Sequence, residues 1–200
     1  MQVEIFNIMP NGLETIDMAA RTCYNSREKS TKEIREKFIQ GLIKRGHGGP
    51  LEFVDIIFDV KGISRSCAIQ LVRHRLASYC MESQRYVDQA TNRYVIPPTL
   101  NYTKNNDDKS IIFENAIQNC RNAYKELITL GVPKEDARFV LPEAMCTNIM
   151  FKMNIRSLRN FIGLRLDSHA QWEIRELAQK IVNLLIKEGL KVLIEDLIKN

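Results

Sequence analysis

Three consecutive basic side chains, Arg73-His74-Arg75, are followed after seven residues by Ser83-Gln84-Arg85-Tyr86, and this is the stretch whose types and spacing best suit chemistry. Guanidinium forks take phosphate or carboxylate through paired, charge-assisted hydrogen bonds, and a serine hydroxyl adds a compact donor. On a helix, successive residues point about 100° apart, so the three basic side chains cannot all serve one exposed ion-pair face. A cation near a helix C-terminus also complements the helix dipole, which is the ordinary reading of a lone Lys or Arg. The stretch that follows, Ser78 to Val87, has no helical stripe and reads as extended. On a strand Met81, Ser83 and Arg85 share one face, while Glu82, Gln84 and Tyr86 share the other. The chemistry expected is recognition of a phosphate-bearing ligand.

The elements that must position these groups follow from periodicity and caps. Residues 3–9 read as a strand. Asn11 with Glu14, and Ser30 with Glu33, have capping-box spacing. They open a helix through Ala20 and a second helix whose Ile34, Phe38 and Leu42 form a buried stripe before Gly46 ends it. From Leu51 to Val60 the period becomes two, with Val54, Ile56, Phe58 and Val60 facing one way and Asp55 and Asp59 the other. Ser64 is placed to cap a helix carrying Ala68, Leu71, Val72 and Arg75 along one side, so the basic triplet falls at its end. Asn101 to Lys109 is polar and reads as a loop, and a long helix then runs to Leu130 before Gly131 and Pro133. Thr147, Ile149, Phe151 and Met153 alternate as in a strand. Helices are expected over Ile155–Leu166 and after Ser168, where Gln171 completes a third capping box. No repeat or composition shift divides the chain, and one α+β domain over residues 1–200 is expected.

Composition narrows the partner. Hydrophobic content of 44% and charged content of 26% are those of a soluble globular protein. No apolar run approaches the ~20 residues of a membrane span. Met1-Gln2-Val3-Glu4 lacks the basic start and apolar stretch of a signal peptide, so a cytoplasmic location is expected, with no membrane partner. Five cysteines without a CxxC pair argue for reduced thiols, and three dispersed histidines, His47, His74 and His169, give no metal site. The formal charge of +5 suits an anionic partner, either nucleic acid or a phosphorylated small molecule. No GxGxxG is present, so a dinucleotide is not expected on a Rossmann crevice.

The stretch from Gln70 to Tyr86 resembles the RHR-x7-S motif of the flavin-dependent thymidylate synthases (ThyX). Further matches follow in order. Gly46-His47-Gly48-Gly49-Pro50-Leu51-Glu52 resembles the family's glycine-flanked histidine loop, and Ala137-Arg138 before Val140-Leu141-Pro142 resembles a second element. Asn154 to Phe161, Leu164-Arg165 and Asp167 to Glu173 resemble its C-terminal block. The resemblance implies an α+β chain with a mainly antiparallel sheet and flanking helices, assembled as a homotetramer with flavin sites between subunits. It also implies the reaction: dUMP becomes dTMP, methylenetetrahydrofolate supplies the carbon, FAD reduced by NADPH supplies the hydride, and tetrahydrofolate is released.

By the same resemblance His47, Arg73, His74, Arg75, Met81, Asn154, Arg156 and Asn160 contact FAD, Met81 standing where relatives often carry a polar side chain. Gln70, Arg73, Ser83, Gln84, Arg85, Arg138 and Arg165 match the dUMP positions, with Arg165 and Ser83 in catalytic roles. A guanidinium facing the uracil ring favours negative charge on it and makes C5 a better nucleophile, so no cysteine nucleophile is required. Plainer readings stand beside these. His47 also fits a turn after a helix end, Asn154 and Asn160 fit caps or surface amides, and Arg138 fits an i,i+3 pair with Glu135. As whole-chain alternatives, the basic cluster fits a nucleic-acid-binding module, and Met81 fits an inactive oligomeric relative.

Overall fold

The computed structural model describes residues 1–91, 93–100 and 108–198. Most of the loop expected over 101–109 lies outside the described residues; Asp108 and Lys109 already belong to the long helix. Among the described residues there are four strands, β1 (Gln2–Ile8), β2 (Asp55–Ser64), β3 (Ser78–Met81) and β4 (Cys146–Asn154). They form one sheet in the order β1-β2-β4-β3. The helices are α1 (Gly12–Thr22), α2 (Lys32–Lys44), α3 (Arg65–Val72), α4 (Asp108–Thr129), α5 (Lys134–Ala137), α6 (Ile155–Arg165) and α7 (Trp172–Lys187). The expected α+β class with an antiparallel sheet and flanking helices is the one observed.

The pairing of β2 with β4 is fixed at both ends. Ile155 N–H donates to the Val54 carbonyl and Arg65 N–H to the Met145 carbonyl, each at 2.9 Å. That antiparallel register sets Phe58 opposite Phe151, and their rings stack at 5.0 Å. Val54, Ile56, Phe58 and Val60 are buried, as are Thr147, Ile149, Phe151 and Met153, so both alternations resolve as read. Lys152 reaches Asp55 at 2.9 Å on the wet face. β2 starts later than the pattern suggests because Gly49–Phe53 coils into a 3-10 turn.

The chain divides into two compact units, one of Met1–Val60, Gln70–Cys80 and Met150–Asn200, the other of Lys61–Ile69 and Met81–Ile149. The first unit holds α1, α2, α6 and α7. The second holds α4 and α5, with Tyr94 edge-on to Phe113 at 6.0 Å beneath the long helix.

Helix ends follow the glycines more faithfully than the polar starts. α2 closes with Gly46 at φ 73, its N–H on the Ile43 carbonyl and His47 N–H on the Leu42 carbonyl, the paired bonds of a Schellman end. α4 closes the same way at Gly131. The three capping boxes do not form. Asn11 sits left-handed at φ 56 without a side-chain cap bond. Ser30 instead donates to Asp17, which is fully buried and paired with Arg21 at 2.7 Å. Gln171, not Ser168, caps α7 by accepting from the Glu173 and Ile174 amides. In α2 Ile34 is exposed and Ile39 joins Leu42 in the buried stripe. Ser64 does cap α3, its Oγ accepting from Cys67 N–H at 2.9 Å.

Candidate functional site

α3 ends at Val72, so Arg73, His74 and Arg75 stand on the turn beyond it and not on the helix as the sequence suggests. The last carbonyls of a helix have no partner within it. Here side chains supply them. Tyr79 Oη lies 2.9 Å from the Leu71 carbonyl and 2.7 Å from that of His74. Arg165 Nη2 lies 3.4 Å from the Gln70 carbonyl, placing a cation where the helix dipole is negative. Ser157 Oγ donates to the Leu76 carbonyl at 2.5 Å and lies 2.8 Å from His74 Nε2.

Held in this way, the turn presents Arg73 and Arg75 to solvent, with no side-chain partner among the described residues. His74 is half-buried, edge-on to Phe161 at 5.7 Å. Burial holds its pKa below the usual 6.5, and the Arg165 cation pushes the same way against the Ser157 hydrogen bond. Burial pushes the Tyr79 phenol up to about 12. Arg165 is half-buried, and its Nε is buried without an acceptor among the described residues. Such a donor costs about 1–3 kcal/mol until something accepts from it.

The glycine-flanked loop and the start of α6 also belong to the first unit. The Schellman end of α2 fixes the backbone of His47 and leaves its side chain exposed. A Cβ on Gly48 would stand 2.9 Å from Arg156 Nε, so any larger residue there would push that side chain aside. Arg156 in turn pairs with Glu52 through Nη1 and Oε1 at 2.5 Å. Asn154 caps α6, its Oδ1 accepting from Ser157 N–H at 2.8 Å, which is the plainer reading of that residue. Asn160 is exposed with no partner among the described residues. A cavity of about 940 Å³ opens beside this loop, between Gly49, Glu52 and Phe53 and the Met18, Thr22 and Cys23 side chains of the α1 region.

Met81, Ser83, Gln84, Arg85 and Arg138 lie in the second unit. The strand expected through Val87 stops at Met81. Tyr86 and Val87 N–H both turn back onto the Ser83 carbonyl, at 3.3 and 3.0 Å. The predicted alternation of faces therefore does not apply beyond Met81. Gln84 is buried while Arg85 is exposed. Ser83 Oγ accepts from Arg85 N–H at 3.3 Å. Arg85 Nε reaches Glu135 Oε2 at 2.8 Å, and Arg138 Nε reaches the Glu135 carbonyl at 3.0 Å, so Arg138 makes no i,i+3 ion pair. Gln84 and Arg138 line a cavity of about 340 Å³ with Arg65, Phe139 and Glu143. Arg65 was not among the sequence candidates. Its signal is a cation in the first turn of a helix, where the dipole disfavours one. Met81 Sδ takes Arg65 Nη1 at 3.7 Å.

Among the described residues no helix is long and apolar enough to cross a membrane, and no His, Cys, Asp and Glu side chains group into a metal site. The α3 turn gathers Arg73, Arg75 and the Nε of Arg165 without acceptors among the described residues, a chemistry that suits an anionic ligand. The chain belongs to the thymidylate synthase complementing protein family, whose sequence profile matches residues 4–188. It is 40% identical over 193 residues to a flavin-dependent thymidylate synthase of Geobacter sulfurreducens, covering 92% of this chain and 82% of that one. It is 38% identical over 197 residues to the enzyme of that name from Pyrococcus furiosus, covering 94% and 80%. The crystal structure of thymidylate synthase X from Helicobacter pylori with FAD and dUMP matches at a TM-score of 0.78 and 28% identity, covering 100% of both chains.

Proposed function

We propose that the chain is a flavin-dependent thymidylate synthase, a methyltransferase that converts dUMP to dTMP with FAD as cofactor. The observation that carries this is the α3 turn: among the described residues Arg73 and Arg75 have no partners, and Arg165 has a buried Nε that lacks an acceptor. These donors fit FAD and dUMP, which bring phosphates and an electron-rich uracil. FAD, when bound, supplies the reducing hydride.

The residues divide the remaining work. Arg73 and Arg75 take the flavin phosphates; His47, His74, Asn154, Arg156 and Asn160 contact the rest, with Met81 acting through its backbone groups. Asn154 has committed its oxygen to the α6 cap, so it is the amide nitrogen that donates. Ser83, Arg85 and Arg138 bind the dUMP phosphate, with Gln70, Arg73 and Gln84 assigned to the same nucleotide. Arg85 exchanges Glu135 for phosphate at little cost, because the pair is about half exposed and such pairs are worth under about 1 kcal/mol. Arg165 faces the uracil and stabilises the charge that develops there, a preorganised contact commonly worth ~3–4 kcal/mol.

The proposal extends to methylenetetrahydrofolate as carbon donor, NADPH as reductant and release of tetrahydrofolate. It extends also to action as one catalytic domain over residues 1–200, to a cytoplasmic location, and to a homotetramer whose subunits wall in the flavin. The test is a spectrum followed by an assay. The purified protein should be yellow, bleach with NADPH, and form dTMP only when dUMP and methylenetetrahydrofolate are both present. A protein that binds no FAD, or that binds DNA with a steep salt dependence instead, would end this reading.

A further inference from the structure

Ser157 has one proton and two polar neighbours. Its Oγ lies 2.5 Å from the Leu76 carbonyl oxygen and 2.8 Å from His74 Nε2. A carbonyl only accepts, so the serine proton must lie toward Leu76. The hydroxyl then has only lone pairs for His74, and Nε2 must carry the ring proton. Neutral imidazole holds one proton, so Nδ1 is left bare, with no partner among the described residues. Ser157 is itself well held. It is buried, and its amide donates to the Asn154 cap at 2.8 Å, so the hydroxyl is a fixed reference for the ring. Phe161 against the imidazole and Tyr79 on the His74 carbonyl limit the other ways the ring could turn.

We infer that Ser157 is a positioning residue that locks His74 as its Nε2–H tautomer, so that His74 meets the flavin with a bare Nδ1 acceptor. This rests on the proposed flavin site and says which part of FAD the histidine takes. A bare nitrogen repels phosphate oxygens, which are acceptors too. It accepts from a ribityl or ribose hydroxyl or from the imide N–H of the ring. Within the basic triplet, phosphate recognition falls to Arg73 and Arg75, and His74 reads a neutral donor group. Depression of the His74 pKa by burial keeps the ring in the form that can do so at neutral pH.

The test is nitrogen NMR of the full-length protein with 15N-labelled histidine, with and without FAD, alongside flavin titrations. The His74 signals are assigned by their loss in His74→Gln. The wild-type protein at neutral pH should show a protonated Nε2 and a bare Nδ1. Ser157→Ala should release a mixture of tautomers and weaken FAD about tenfold. Ser157→Thr, which keeps the hydroxyl, should restore both. An Nδ1–H tautomer in the wild-type protein overturns the inference. So does a folded Ser157→Ala protein with unchanged tautomer and unchanged flavin affinity. If Ser157→Ala does not fold, the wild-type spectrum still decides. A wild-type protein that binds no FAD refutes the functional reading, and its tautomer is read independently.

Discussion

Arg165 satisfies a helix end with one nitrogen and keeps another buried without an acceptor. The two uses predict different things. Arg165→Ala should stay folded by circular dichroism yet lose dTMP formation by about 100-fold or more at saturating dUMP. Near-normal turnover of that variant would remove the activating role. Ser83→Ala should also stay folded and lose most of its activity, since its hydroxyl is proposed to bind the dUMP phosphate. His74 predicts a pH dependence of stability. Its folded pKa is depressed, so its contribution is complete above the unfolded value near 6.5. As pH falls through that value the unfolded chain takes up the proton first, and stability declines until the folded ring protonates as well. Urea midpoints from about pH 7.5 to 5 should show this slope, and it should shrink in His74→Gln. At this scale the sequence revealed which residues matter, because the motif spacing carries chemical type. It did not reveal orientation: Arg85 turns onto Glu135 because two amides fold back to Ser83, and no side-chain period encodes that.

Elements position the site through their ends. α3 ends where Tyr79 and Arg165 take its carbonyls. Tyr79→Phe removes one donor shared by two carbonyls and should cost about 1–3 kcal/mol in chemical denaturation. It should also remove an alkaline slope. With a folded pKa raised to about 12, the phenol contributes fully below its unfolded value near 10 and loses that contribution as pH rises toward 12. Gly48→Ala tests the other edge. Its Cβ would meet Arg156 Nε at 2.9 Å, so Arg156 must give up its place beside Glu52, and flavin affinity should fall several-fold with little change in stability. Strand interiors and glycine stops were legible in the sequence because burial with period two and a left-handed φ each leave few residue choices. Ser64 was legible as the cap of α3 and α6 begins at Ile155 as read, but the capping boxes were not. Asn11, Ser30 and Ser168 have the spacing of capping boxes, but tertiary partners such as the buried Asp17 took the Ser30 hydroxyl.

At the scale of the molecule, the absence of a required thiol nucleophile is testable. Each single Cys→Ala variant that binds FAD and dUMP should still make dTMP. If one abolished chemistry while both still bound, activation of dUMP by Arg165 alone would be untenable. The antiparallel register was readable only as two separate alternations. The pairing of Phe58 with Phe151 depends on contacts across about ninety residues, which no local pattern specifies. The division into two units left no trace in composition either, because both carry ordinary mixtures of apolar and charged residues.

That division has a consequence for how the protein is made. The first unit is assembled from Met1–Val60, Gln70–Cys80 and Met150–Asn200, so a ribosome finishes its third part long after its first. At about 5–20 residues per second, the N-terminal strand and helices wait several seconds without α6 and α7, their apolar faces open to proteases and chaperones. Nascent chains stalled before Met150 should therefore be cut readily within residues 1–60, and that region should become protected only once Met150–Asn200 has emerged.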